Sequence, residues 1–519
     1  VPAGLIPLAG GAHKAIDRSH IDLYRVWYVK AGGAWQGEYA IPIRHGQGVA
    51  IPCAKNRIDG QKNQTFYVDI FVPKDAAPGG YEGSISISAR GVPAVKLPVR
   101  LTVHDFVLPD EMNFYADLNC YTTPGAVGSE RFRASHRLAH AHRCTIVTVP
   151  YRHAGTVRAG TAPPLTGEGA GRRVGDWSAF DRGLGPLFDG SLFEGCPRDG
   201  VPVNVFILPL HENWPTPMAG HYSYRGPQRG KGIMRPFALN SKPIHKAFSQ
   251  EHQAAFRAVA KGFAEHAKAR GWTRTKFKCF FNNKWYYRAD VRGRGTYGTS
   301  WWCLDEPDCF DDFEAIIFLG HLFEQGVRDV RGVQFILRAD ISRPRWQRNW
   351  MTGLMDWVCV SRAMYYKPRR CELLRRNTPS VQIKYGACNA IEDPNLISLL
   401  WCYEGYLLGA DGVLPWQSLG GDSAFGAPNR NGLVVDGTRR FGVRAVASLR
   451  VKALRRGVQD VEYLITMAKK RGWTREQVRF LLSGTGDYRG AVDRVKRWTL
   501  EDVAAVREAV AALVAGKRR

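Results

Sequence analysis

The sequence predicts an α/β protein: a (β/α)8 TIM-like barrel preceded by an antiparallel β-sandwich and followed by a helical C-terminal region. Three observations predict it. Short strands separated by Gly and Pro turns fill the first 108 or so residues. From about Met112 short, continuously apolar strands alternate with amphipathic helices, the pattern of a parallel sheet covered on its outer face. From Arg439 onward apolar residues recur at helical spacing. The domains expected are 1–110 for the sandwich, 111–438 for the barrel and 439–519 for the helical region, the first part of which completes the barrel.

Taken in order, Gln64–Val72, Tyr81–Ile87 and Val95–Val103 read as strands, with a Pro78–Gly79–Gly80 turn before the second. The barrel section offers Asn113–Leu118, Thr145–Val149, Val203–Leu208, Lys276–Phe281, Ser300–Leu304, Val333–Leu337, Trp357–Val360, Val381–Tyr385 and Gly412–Pro415. Nine candidates for an eight-stranded barrel mean that one is not a barrel strand. Ser249–Arg270 and Asp308–Gln325 read as helices between them, and Ala154–Gly175, rich in Gly, Thr, Pro and Arg, as a long loop. In the last region Leu449, Leu454, Val458 and Val461 share one helical face, as do Val503, Val506, Val510 and Leu513.

A chain of 519 residues exceeds one ordinary core, and 45% hydrophobic residues with 15 Trp suit a well-buried protein. No membrane span is expected, for lack of a long apolar run. Val1–Ala12 is apolar but has no basic flank, so it is not an intact signal peptide. The 11 Cys are irregularly spaced with no CxxC pair, which reads as buried free thiols. Lys plus Arg outnumber Asp plus Glu by 73 to 47, a net +26 that favours anionic partners. Without a zinc-finger spacing, a phosphate loop or an RNP-like run, no nucleic acid is expected.

Parallel barrels build active sites from the C-terminal ends of their strands. Those ends carry an unusual polar load here: Asp117, Asn119 and Tyr121; His211, Glu212, Asn213 and Trp214; Asn282 and Asn283, then Trp285, Tyr286 and Tyr287; Asp305 and Glu306; Arg338 and Asp340; Trp416 and Gln417. Tyr385 ends a further strand. Carboxylates, amides and aromatic faces together suit a sugar, because amides fix hydroxyls and rings stack on apolar sugar faces. His140-x-His142 raises a metal-dependent alternative, but these residues precede a strand, on the face away from chemistry. No metal and no cofactor are expected.

Asp305–Glu306–Pro307 has an ordinary explanation as a helix start, where acids and proline are favoured. Its place after the apolar Trp301–Leu304 run points instead to catalysis. Two-carboxylate glycosidases hold their carboxyls about 5–10 Å apart across the scissile bond. Neighbouring residues, with Cα atoms about 3.8 Å apart, approach from one side. Such a pair suits substrate-assisted catalysis, in which a 2-acetamido oxygen attacks, one carboxylate orients the amide and the other protonates the leaving oxygen. Repulsion between close carboxylates raises one pKa toward the range of a general acid.

Four stretches resemble glycoside hydrolase family 123, the β-N-acetylgalactosaminidases, and related proteins of that architecture: Pro78–Gly83, Trp302–Pro307, Gly409–Trp416 and Arg450–Asp460. The resemblance implies that Asp305 orients the acetamide and Glu306 is the general acid. The Arg-rich stretches at Arg288, Arg292 and Arg294, and at Arg343 and Arg345, together with the net charge, depart from what a neutral amino sugar needs. The substrate expected is thus a 2-acetamido sugar, β-N-acetylgalactosaminide-like, or an anionic glycan containing it. The alternatives are a two-carboxylate glycosidase pairing Glu212 with Glu306, and a non-enzymatic glycan-binding protein on the same scaffold. Export from the cytoplasm is the expectation by analogy.

Overall fold

The computed structural model describes residues 1–8, 14–223, 244–285, 298–307, 309–342, 344, 347, 349–388 and 390–516. The chain divides into two compact units, neither of them one continuous stretch. The first takes Val1–Asn113, Cys388–Glu404 and Leu419–Arg519; the second takes Phe114–Ala387 and Gly405–Ser418.

In the first unit, Ile21–Ala31 and Ala34–Ile43 form a long antiparallel hairpin. Its two-residue turn is Gly32–Gly33, both in the left-handed region that other residues adopt at a cost. This hairpin, Phe66–Ile70 and the later strands Val434–Gly437 and Val443–Ser448 lie in one six-stranded sheet. Gly79–Ala89, Val92–Val103 and Ile6–Pro7 form a three-stranded sheet. The sheets meet where Ile21, Val68 and Ile70 pack with Tyr81, Val99 and Leu101. A second core gathers Trp27, Tyr39, Phe425, Val435 and Val446.

The helix Leu449–Arg471, expected to complete the barrel, lies in this unit, because its buried cations find their partners on the sheet. Arg450 is bonded to buried Glu38 at 2.8 Å, and Lys452 and Arg455 share Asp69. Three further helices follow, Arg475–Ser483, Tyr488–Val495 and Leu500–Val514, with Thr474, Asp487 and Thr499 as N-caps. Val503 and Val510 are buried on the last, and Arg507 reaches back to Asp460.

The second unit is the barrel. Its eight parallel strands are Tyr115–Cys120, Thr145–Thr148, Val205–Ile207, Lys276–Phe280, Gln334–Asp340, Trp357–Val360, Val381–Gly386 and Gly412–Pro415. The eighth pairs with the first and the first with the second, so the ladder closes except between the second and third. Helices Glu130–Ala141, Ser178–Phe188, Gln250–Ala269, Phe310–Val327 and Pro368–Asn377 cross between strands. The interior is packed with Val147, Val205, Ile207, Phe280, Trp357, Ile383 and Leu414.

The candidate that fails as a strand is Ser300–Leu304. The Ser300 hydroxyl bonds back onto Trp302, and Cys303 donates its N–H to the Asp312 side chain rather than to a neighbouring strand. Trp302 is buried, packed near Tyr222 and Phe248, which accounts for the apolar run. No helix among the described residues is long and apolar enough to cross a membrane.

Candidate active site

The fourth barrel strand ends at Phe280 and runs on through Asn282, Asn283 and Lys284. The chain returns beside this extension. Leu304 and Asp305 donate their N–H groups to the Asn283 carbonyl, at 2.9 and 3.4 Å, and Cys303 bridges Lys284. Asp305 and Glu306 thereby reach the C-terminal end of the barrel from a loop, not from a strand of their own.

Two features fix the turn that carries them. Asp312, fully buried, accepts the Cys303 N–H on one oxygen at 2.8 Å and the Cys309 N–H on the other at 3.3 Å. Glu306 itself has φ 62°, in the left-handed region that costs a non-glycine residue about 1–2 kcal/mol. The following helix begins at Phe310 with Cys309 as its N-cap. The two acids are therefore not helix caps, which removes the ordinary explanation of the Asp–Glu–Pro step.

Lys284 bridges the pair: its Nζ lies 3.0 Å from Asp305 Oδ2 and 3.2 Å from Glu306 Oε2. The other Glu306 oxygen, Oε1, accepts from the Ser342 hydroxyl at 2.6 Å and from the Tyr385 hydroxyl. The carboxyls thus sit in unlike surroundings. Burial raises Asp305 to about 6, with Lys284 opposing and the Asp340 and Glu306 charges adding to the rise. Burial also pushes Glu306 up, but the Ser342 and Tyr385 hydrogen bonds and Lys284 outweigh it and hold it below its ordinary value. Of the two, Asp305 is thus the carboxyl that keeps a proton to the higher pH, whereas the family resemblance implies Glu306 as the acid. Exposure runs the other way: the Asp305 side chain is 10% exposed and that of Glu306 is 34%.

Most of the expected polar residues gather around this pair. Arg338, buried, grips Asp340 through two hydrogen bonds of 2.9 Å, which fixes the Asp340 charge that bears on Asp305. Arg338, 2% exposed, holds Asp340, where the sequence suggests a substrate contact. Tyr121 feels the charges of Asp305, Lys284 and Asp340. Its ring lies edge-on to Trp416, 6.3 Å between centroids, and Trp416 is 47% exposed, a free aromatic face. Asn119 steadies that face by donating to the Trp416 carbonyl at 2.8 Å. Gln417 beside it is half-buried. Inside the barrel Asp117 and Lys278 form a fully buried ion pair at 2.8 Å, with the Lys278 ammonium over the Trp357 ring.

His211, Glu212 and Asn283 lie buried, and Asn283 donates to Glu212 at 2.6 Å. The Asn282 N–H is bonded to the Tyr151 hydroxyl. Trp214, half-buried, lies edge-on to Phe263 on the helix Gln250–Ala269, 6.3 Å between ring centroids. Tyr286, Tyr287 and the arginines at 288, 292, 294, 343 and 345 lie outside the described residues. His140 bonds to the Val201 carbonyl and stacks on Phe193, and His142 bonds to the Leu138 carbonyl. Among the described residues no group of His, Cys, Asp and Glu could hold a metal ion.

Sequence reasoning passes over Lys284, Ser342 and Asp312. Lys284 directly follows Asn283 and Ser342 lies two residues past Asp340, so extending each strand end by two residues finds both.

No family model matches the sequence, and no curated protein matches it. Among solved structures the chain is similar to a family 123 glycoside hydrolase from Clostridium perfringens, with a TM-score of 0.57 at 12% identity, over 99% of this chain and 89% of that one. It also matches a family 39 glycoside hydrolase from Bacteroides cellulosilyticus WH2, with a TM-score of 0.35 at 10% identity, over 85% and 77% of the two chains. The chain has the fold of the family 123 glycoside hydrolase.

Proposed function

We propose that this protein is a glycoside hydrolase acting on a 2-acetamido sugar by substrate-assisted catalysis, with Asp305 and Glu306 as its two working groups. One observation carries the reading. Two carboxyls on adjacent residues, bridged by a single lysine, stand at the C-terminal end of a barrel beside an exposed aromatic ring. Neighbours so joined cannot take opposite faces of an anomeric carbon, so the nucleophile in this reading is the substrate's own acetamido oxygen. The fold shared with a family 123 enzyme is consistent with this.

Asp305, the more buried group, orients the acetamide; Glu306, the more open one, protonates the leaving oxygen. A bound sugar excludes water from Glu306 and adds to the burial that already opposes its ionisation. It also competes for the donors of Ser342, Tyr385 and Lys284. Both effects move the proton to Glu306 when substrate is seated. Trp416 supplies the face on which the apolar side of the sugar stacks.

Aryl β-N-acetylhexosaminides and sulfated or uronate-containing oligosaccharides, offered to the wild type and to Glu306→Gln, test the reading. Release from the acetamido sugars, lost in the variant, supports it. Release confined to substrates without a 2-acetamido group refutes the mechanism. The net charge of +26 favours an anionic glycan, and cleavage indifferent to added salt would count against that refinement.

A further inference from the structure

Glu212 has no exposed surface, yet it is wired to the turn that bears the reactive pair. Its Oε1 accepts from the Asn283 side chain at 2.6 Å. The backbone carbonyl of that same Asn283 receives the N–H groups of Leu304 and Asp305. The other side-chain atom of Asn283, Oδ1, can only accept, so His153 bonds it through a protonated Nδ1 at 3.1 Å. His153 in turn takes the Thr299 N–H on its own carbonyl at 3.1 Å, which pins the start of the segment leading to Asp305. Glu212 is anchored from behind, its carbonyl bonded to His252 Nε2 at 3.1 Å.

We propose that Glu212 is a positioning residue that sets the Asp305–Glu306 turn through Asn283, and is not a second carboxylate of the reaction. The proposal rests on the glycosidase reading for its catalytic consequence. A group with no exposure cannot reach an anomeric carbon. Among the described residues Glu212 makes no ion pair, and burial opposes its charge while hydrogen bonds from Asn283, its own backbone and Ser300 favour it. Burial raises Glu212 to about 7 and holds each of His153, His211 and His252 down at about 4, so these rings are neutral near neutral pH. Protonated, Glu212 offers Asn283 a carbonyl acceptor on one oxygen and carries an O–H donor on the other, and an amide supplies the same acceptor and donor pair.

Glu212→Gln and Glu212→Leu, each compared with the wild type in kcat and KM on the aryl glycoside panel, test this. Gln preserves the acceptor and should keep kcat and KM within about threefold of wild type. Leu removes it and should lower kcat by about a hundredfold with KM little changed, as a misplacement near 1 Å does. A Gln variant that loses about 10⁴-fold or more, as removal of a nucleophile does, overturns the proposal. Infrared difference spectra of wild type against Glu212→Gln, at a pH below 7, give a readout that needs no turnover and no Leu variant that folds. A protonated carboxyl band assigned to Glu212 supports the proposal, and a carboxylate band overturns it. A wild type silent on every glycoside refutes the glycosidase reading, and the infrared result still decides the state of Glu212.

Discussion

Ser342→Ala is the sharpest probe of which carboxyl donates the proton. The Ser342 hydroxyl lies 2.6 Å from Glu306 Oε1 and favours the ionised form. A hydrogen bond to a charged group is worth about 1.5–3 kcal/mol when sealed from solvent. The Glu306 side chain is 34% exposed, so screening reduces this to about 1 kcal/mol. Losing about 1 kcal/mol favours the protonated form by about fivefold, so removing the hydroxyl should raise the Glu306 pKa. The assay is the pH dependence of kcat, which reports ionisations of the substrate complex, where the proton rests on Glu306. If Glu306 is the acid, kcat falls as pH rises through its pKa in the complex, and Ser342→Ala moves that limb to higher pH. The Lys284 and Tyr385 contacts remain in the variant, so the site keeps its shape. A limb at the same pH in both proteins would refute the assignment, because the Ser342 hydroxyl bears directly on Glu306.

Asp305→Asn should stabilise the protein at neutral pH while abolishing turnover. The folded pKa of Asp305, about 6, stands above its ordinary 3.8, so its contribution is full below about 3.8 and lost as pH rises through about 6. The gain from Asn should be absent near pH 4 in thermal denaturation and reach about 1–3 kcal/mol by pH 7. Asp117→Asn leaves buried Lys278 without its counter-charge and should cost about 3–5 kcal/mol in chemical denaturation, whereas Asp117→Leu with Lys278→Met should cost far less. Equal losses in the single and double variants would refute that account. Asp312→Ala strips two N–H groups of their acceptor and should cost about 2–4 kcal/mol in denaturation, with a fall in kcat because the same bonds hold the Asp305–Glu306 turn. Unchanged kcat in a folded Asp312→Ala would separate the two effects.

The barrel is legible in the sequence because strands covered on both faces read as unbroken apolar runs, such as Trp357–Val360, which is buried throughout. The same rule misleads at Ser300–Leu304, since a buried bend is as apolar as a buried strand; Trp302 packs inward without any ladder. Asp305 and Glu306 still reach the C-terminal end of the barrel, because a loop returning beside the end of the fourth strand delivers them where a strand end would. The hairpin Ile21–Ile43 carries a local signal in Gly32–Gly33, but the pairing of Ala40 with Ala447 is too remote in sequence for any local pattern to show. Lys284 and Ser342 are hidden for a similar reason: each matters through the carboxylate it meets, across 22 and 36 residues. What the sequence cannot hint at is the left-handed backbone of Glu306, because glutamate has no preference for it. Glycine would relieve that strain but remove the carboxyl. A fold that keeps a strained glutamate there, pinned on one side by Asp312 and on the other by Asn283, holds that carboxyl in place at a cost to stability, which is where a reacting group is expected.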